Sequence, residues 1–223
     1  MKILMSWSSG KDSAWALHTL RGQHPGAVAA LLTTYNEAFD RVAMHGVRRS
    51  VLEAQAAAAE LPLWQVPIPD QCTNAMYEAR MREACERAVA EGFTHVAFGD
   101  LFLEDIRRYR EERLEGTGLA PLFPLWGIPT RELAGRMIAG GLHATISVVD
   151  TRVLPAEFAG RSFDAALLTE LPPGVDPCAE NGEFHTCATA GPMFRHPLRV
   201  SVGERVDRPP FVFRDILLER QTS

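Results

Sequence analysis

Lysine is almost absent from this 223-residue chain: Lys2 and Lys11 stand against 21 arginines. The skew gives Lys11 weight, because a compact ammonium and a branched guanidinium are different ligands in a crowded loop. Cysteine is scarce as well. Cys72, Cys85, Cys178 and Cys187 include no C-x-x-C pair, so their spacing gives a zinc or iron–sulfur site no support. Buried or half-buried free thiols are the expectation. No apolar run approaches the roughly 20 residues of a membrane span. Met1-Lys2 leads straight into an apolar segment, which argues against a signal peptide and for a cytoplasmic chain. Positive charge is not in excess either. A net charge of −5 exerts no general pull toward nucleic acid or an anionic membrane. Internal repeats and low-complexity tracts are lacking. What remains, at 46% hydrophobic and 23% charged, is an ordinary globular composition, enough for one large domain or a domain with an appendage.

The most informative stretch runs from Ile3 to Ser13, Ile-Leu-Met-Ser-Trp-Ser-Ser-Gly-Lys-Asp-Ser. A short apolar run reads as a buried strand. It breaks into a Ser/Gly loop, and an amphipathic helix then starts near Asp12 and carries Ala14, Trp15 and Leu17. Free backbone N–H groups and the helix dipole make such a junction an anion site. Lys11 adds a full charge, and Ser8, Ser9 and Ser13 add hydroxyls. A Walker A loop is excluded, because that pattern wants glycine five residues before Gly10 and Ser or Thr after the lysine. Met5 and Asp12 occupy those positions.

Further strands are expected at 27–34, 63–68, 94–98 and 144–149, with helices at 47–61, 73–91, 103–115 and 129–140. Strands alternating with helices imply a parallel sheet with right-handed crossovers. Ligands of such sheets bind beyond the carboxyl ends of the strands. Asp100, Asp150 and the Ser8–Ser13 loop all follow strand ends, so all three are expected on one rim. Two strands around a polar turn are expected at 195–206 and 211–218, and Gln221-Thr222-Ser223 is expected to fray. The pattern changes at Asp150. This divides the chain into an α/β unit at 1–150, a five-stranded parallel sheet with helices on both faces, and a small α+β unit at 151–223.

Glu180, Glu183 and His185 fall within six positions, around Gly182 and before Thr186. Carboxylates beside a glycine turn can hold Mg²⁺, orient an amine or act as bases. A solvated acidic loop is an equal reading of these residues alone.

Three segments in order resemble one family. The Ser8–Ser13 loop, S-S-G-K-D-S, is similar to the SGGKDS pyrophosphate loop of the PP-loop ATP pyrophosphatases. Gly99-Asp100 with the Arg107/Arg108/Arg110 helix, Pro124-Leu125-Trp126, and Glu180-Asn181-Gly182-Glu183-Phe184-His185-Thr186 resemble the diphthine–ammonia ligase type of that group. The chain departs from the pattern at Ser9 and Ala179, where glycine is common, and at Cys187, where an apolar residue is usual. The resemblance implies a HUP- or Rossmann-like α/β domain with a C-terminal domain that covers the ATP site. It implies ATP and Mg²⁺, adenylation of a carboxylate acceptor with release of AMP and pyrophosphate, and amidation by ammonia. It also implies roles for residues. Ser8, Ser9, Gly10, Lys11, Asp12 and Ser13 hold the pyrophosphate, with Thr33, Thr34, Tyr35 and Gly99 bordering the adenosine. Lys11, Asp100, Glu180, Glu183 and His185 are the catalytic candidates. Asn181, Gly182, Thr186, Arg107 and Arg110 are the acceptor-binding candidates. Asp12 and Asp100 are the Mg²⁺ candidates; Asp12 reads equally as a helix cap, and the arginines equally as a solvated face.

The acceptor is a carboxylate of a protein side chain or a small molecule, and the sequence leaves room for a homodimer. Two rivals stand beside this reading. An RNA-modifying PP-loop enzyme calls for a basic surface or a thiol pair, and neither is present. A non-catalytic adenine-nucleotide sensor has little use for the acidic Glu180–Glu183 loop.

Overall fold

A computed structural model describes residues 1–42 and 45–219; the tail expected to fray lies outside them. The first part of the chain folds as β1 (Ile3–Ser6), α1 (Lys11–Gln23), β2 (Val28–Asn36), β3 (Arg41–Val42), α2 (Arg49–Ala58), β4 (Leu63–Ile68), α3 (Asn74–Ala90), β5 (His95–Ala97), α4 (Glu104–Leu114), β6 (Ala120–Leu122) and α5 (Thr130–Ala139). There follow β7 (His143–Asp150), α6 (Ala165–Glu170), β8 (Phe184–Ala190), β9 (Val200–Arg208) and β10 (Phe211–Leu218). Local chemistry sets several of the helix starts. Thr73 caps α3 by accepting from the Met76 amide (3.2 Å), and Asp164 caps α6 by accepting from the Leu167 amide (2.8 Å).

Among the described residues the strands form two sheets. In the first, β1 runs parallel to β2 and β5, β2 parallel to β4, and β5 parallel to β6. The short β3 lies antiparallel on the far end of β2. The second sheet is antiparallel, in the order β8-β7-β10-β9.

The segment 144–149 is therefore not the fifth parallel strand. β7 pairs antiparallel with β8 and β10, and the three-residue β6 takes the fifth parallel place. The reason is that β7 is buried on both faces along most of its length. An apolar run of that kind suits the centre of either sheet type, and periodicity cannot separate them. Asp150 accordingly leaves the expected rim. It ends a strand of the second sheet, where the Arg152 guanidinium (Nε 2.9 Å away) holds its carboxyl below the usual range.

β1 divides its side chains between two cores, as the two-residue period of a strand requires. Ile3 and Met5 join Trp7, Leu17, Leu52, Leu133, Ile146 and Phe184, a core shared with the second sheet. Leu4 joins Leu32, Trp64, Val96 and Phe98 on the other face, under α3 and α4. Of the seventeen residues of α3 only Ala84 and Ala88 are buried. In its N-terminal half Tyr77 and Met81 are only partly buried against that core, and both line a cavity there. No described helix is long and apolar enough to cross a membrane.

Candidate functional site

The turn between β1 and α1 is the centre of the site. Ser9 takes a left-handed backbone (φ +71°), is fully buried, and leaves its hydroxyl without a partner. Glycine is favoured in that conformation, which is the physical sense of the glycine that the resemblance places there. The turn is fastened from two sides. The Ser9 carbonyl accepts from the Ala188 amide of β8 (2.9 Å) and from Gln55 Nε2 of α2 (3.0 Å).

Side-chain hydroxyls occupy the amides of the turn. Gly10 N donates to Ser8 Oγ (3.3 Å), Ser8 N to Ser13 Oγ (3.4 Å) and Lys11 N to Thr186 Oγ1 (3.1 Å). Converging amides at a helix N-terminus, each on a hydroxyl that can rotate away, suit an incoming anion. The Lys11 side chain is buried. Its ammonium donates to Asp12 Oδ2 (2.8 Å) and to the Cys178 carbonyl. Burial alone lowers its pKa, but Asp12, with Cys178 and Glu180, pushes it above the ordinary value, so Lys11 stays charged.

The acidic segment folds as a tight turn beside this loop. Glu183 Oε1 accepts from Asp176 N and from Asn181 Nδ2, both at 3.0 Å, while Oε2 is buried without a partner. Glu180 N donates to Asp176 Oδ2 (2.9 Å), and Glu180 Oε1 accepts from Leu101 N just past β5 (2.7 Å). Ala179 and Gly182 both have positive φ, +57° and +85°. Ala179 thus repeats the case of Ser9: the sequence departs from glycine where the backbone favours it. Burial pushes the Glu180 carboxyl up to about 7, reinforced by Asp12 and Asp100 and opposed by the Leu101 amide and Lys11. Glu183 lies three positions before Thr186, which at the strand rise is roughly 10 Å along the chain from the contact with Lys11. The segment therefore does reach back to the phosphate-type loop.

A cavity of about 760 Å³ opens beside the loop, inside the range of small-molecule sites. Ser6, Ser8, Thr33 and Thr34 line it from the strand ends, His45 from the segment before α2, His185 from β8, and Tyr77, Met81, Tyr109 and Arg110 from the helices. The Thr33 hydroxyl is buried without a partner.

The remaining candidates sort by geometry. Tyr35 lies outside the cavity lining, with the Arg49 guanidinium 5.1 Å from its ring centroid. Gly99 serves close packing, since a Cβ there would come 3.0 Å from the Asp12 and Ser13 backbone. Arg107 covers Phe123 and Trp126 (5.0 and 4.8 Å to the ring centroids) and pairs with Glu111. Arg110 covers Phe98 and stands 3.5 Å from Asp100, whose carboxyl burial pushes up against the pull of that guanidinium. Burial raises the Cys178 and Cys187 thiols to about 12, which makes them inert. Asp12 Oδ1 is buried without a partner, so one carboxylate oxygen at the loop fits a Mg²⁺ that is otherwise held by phosphate oxygens and water. Among the described residues no group of three or more His, Cys, Asp or Glu could hold a metal ion.

Sequence reasoning missed His45, Gln55 and Asp176. The His45 ring packs over Gly10 and against His185, with centroids 4.6 Å apart. Nothing in its polar surroundings distinguishes it in the sequence. Gln55 is a fully buried amide on the inner face of the Ala-rich α2, and a polar residue on an apolar face was a usable signal.

Fold and site together define an α/β protein with a phosphate-type turn at the carboxyl ends of its parallel strands, fastened to a separate antiparallel sheet. Residues 130–216 match the family model described as diphthamide synthase C-terminal domain. Over 228 aligned positions the chain is 27% identical to the diphthine–ammonia ligase of Schizosaccharomyces pombe. That alignment takes in 93% of this chain and 37% of the yeast protein, so the chain spans little more than a third of that relative's length. Both findings bear out the resemblance read from the motifs.

Proposed function

We propose that the protein is an AMP-forming, ATP-dependent amide ligase of the diphthine–ammonia ligase type. One observation carries the reading: the Ser8–Ser13 turn gathers helix N-terminal amides and Lys11 beside a cavity and is bonded directly to the Thr186–Ala188 strand and the Cys178–Glu180 turn. ATP lies with its adenosine toward Thr33 and Thr34 and its β- and γ-phosphates in the turn, displacing the hydroxyls from the amides of Gly10 and Lys11. Lys11 stabilises charge on the leaving pyrophosphate. Bound Mg²⁺, for which Asp12 offers a free oxygen, supplies charge neutralisation on the phosphates. A carboxylate oxygen attacks the α-phosphorus and pyrophosphate departs. Ammonia then attacks the acyl carbon, AMP leaves, and the nitrogen loses its proton. An acyl adenylate is easily hydrolysed, so the site needs a cover, and the 176–186 segment lies where a cover belongs.

Incubation with ATP and Mg²⁺, with ammonium and a panel of carboxylates added in turn, tests the reading. AMP and pyrophosphate are the expected products. ADP and phosphate as the sole products of a clean preparation would overturn it.

A further inference from the structure

We propose that His45 and His185 form the second wall of the pyrophosphate site, facing the loop amides, and that pyrophosphate binding there draws a proton onto this imidazole pair. The inference rests on the nucleotide reading above and adds to it a binding role for His45 and linkage to protons.

Three observations lead to it. The first is position. A Cβ on Gly10 would lie 3.1 Å from His45 Cε1, so the imidazole closes directly over the loop. His185, arriving on β8, stacks against it at 4.6 Å, and both rings line the cavity with Ser8. The second is the state of Lys11, whose ammonium is already matched by the Asp12 carboxylate and the Cys178 carbonyl. An anion entering the loop meets a lysine that is largely neutralised, so positive charge beyond Lys11 favours its binding. The third is the tautomer. His45 Nδ1 lies 3.4 Å from the Thr186 carbonyl, which can only accept, so Nδ1 carries the hydrogen and Nε2 keeps a lone pair.

Burial and neighbouring positive charge keep both rings neutral. Burial, then His185 and Lys11, hold His45 down at about 3, with the Thr186 carbonyl opposing. Burial and Lys11 hold His185 at about 4. His45, His185 and Lys11 are the titratable groups that face one another here. Opposite charge a few ångströms away raises a pKa by roughly 1–3 units. His185, starting higher, takes the proton first. Protonating one ring then disfavours the other, so the pair takes up one proton rather than two.

Calorimetric titration of pyrophosphate into the protein at pH 6, in two buffers of different ionisation enthalpy, counts the protons bound. The wild-type protein should take up a larger fraction of a proton than either His45→Gln or His185→Gln. Glutamine keeps a hydrogen-bond donor but cannot be protonated. Pyrophosphate's own titration is common to all three proteins and cancels in the comparison. Pyrophosphate affinity should fall about tenfold in each variant, the equivalent of one pKa unit, while AMP affinity does not fall with it. Unchanged melting temperatures identify variants that fold. Wild-type affinity and proton count in both folded variants would sink the role of the pair while leaving the nucleotide reading standing. A wild-type protein that binds neither ATP nor pyrophosphate would sink both.

Discussion

Ser9 and Ala179 are two of the four described non-glycine residues with left-handed backbone, and the two that lie at the site. Left-handed backbone costs a non-glycine residue about 1–2 kcal/mol, against roughly 0.5–1 for the extra freedom that glycine loses. Ser9→Gly also removes a buried hydroxyl that has no partner. It should stabilise the protein by about 1 kcal/mol, a rise of roughly 2–4 °C in melting temperature at this chain length. Ala179→Gly should act in the same direction by less. A fall in melting temperature for Ser9→Gly would mean that the hydroxyl does bond in solution. Glu180 makes a prediction with pH. Its carboxyl holds a proton up to about 7 in the fold, against an ordinary value of 4.5. The stability it contributes is complete below pH 4.5 and is lost as the pH rises through 7. Glu180→Gln keeps the acceptor for the Leu101 amide and carries no charge. It should melt above wild type at pH 8, with the difference vanishing near pH 4. A constant difference across that range would remove the buried-carboxyl explanation.

At the scale of elements, α2 is fixed to the site by one side chain. Gln55 Oε1 accepts from Trp7 Nε1 (3.0 Å), and its Nε2 donates to the Ser9 and Ala188 carbonyls (3.0 and 2.7 Å). Gln55→Leu fills similar space, leaves the Trp7 indole N–H unpaired in the core and takes one donor each from the Ser9 and Ala188 carbonyls, of which the Ser9 carbonyl keeps the Ala188 amide. Buried unsatisfied groups cost about 1–3 kcal/mol each, partly relieved by relaxation. A loss of about 3 kcal/mol is expected by denaturant titration; a loss below about 1, the net value of a single ordinary hydrogen bond, would mean that water replaces the amide. α1 shows a related dependence. Its N-cap, Gly10, has no side chain to offer, and the hydroxyl that caps its first amide comes from Thr186, 175 residues away. The helix itself was legible from its apolar spacing; its cap was not.

Across the whole molecule, the two sheets meet through the Ser9–Ala188 and Lys11–Thr186 bonds and share the core that holds Ile3, Leu52, Ile146 and Phe184. Such a shared core should unfold as one unit. Denaturation followed by tryptophan fluorescence and by far-ultraviolet circular dichroism should give one coincident transition, and two separated transitions would contradict a common core. The sequence by itself determined the parallel α/β architecture, the helices α1 to α5 and the strand–turn–helix junction at Ser8–Ser13, because periodicity and Ser/Gly junctions are local properties of the chain. Glu180 to Thr186 read equally as a solvated acidic loop from the residues alone, and only the resemblance to a family singled them out. Tertiary structure decided which sheet 143–150 joins, since a strand buried on both faces reads alike in either. It joined one oxygen of Glu183 to Asp176 N and Asn181 Nδ2, a contact the spacing of these residues does not show. It also brought His45 over Gly10, a contact between residues 35 positions apart that no local pattern encodes.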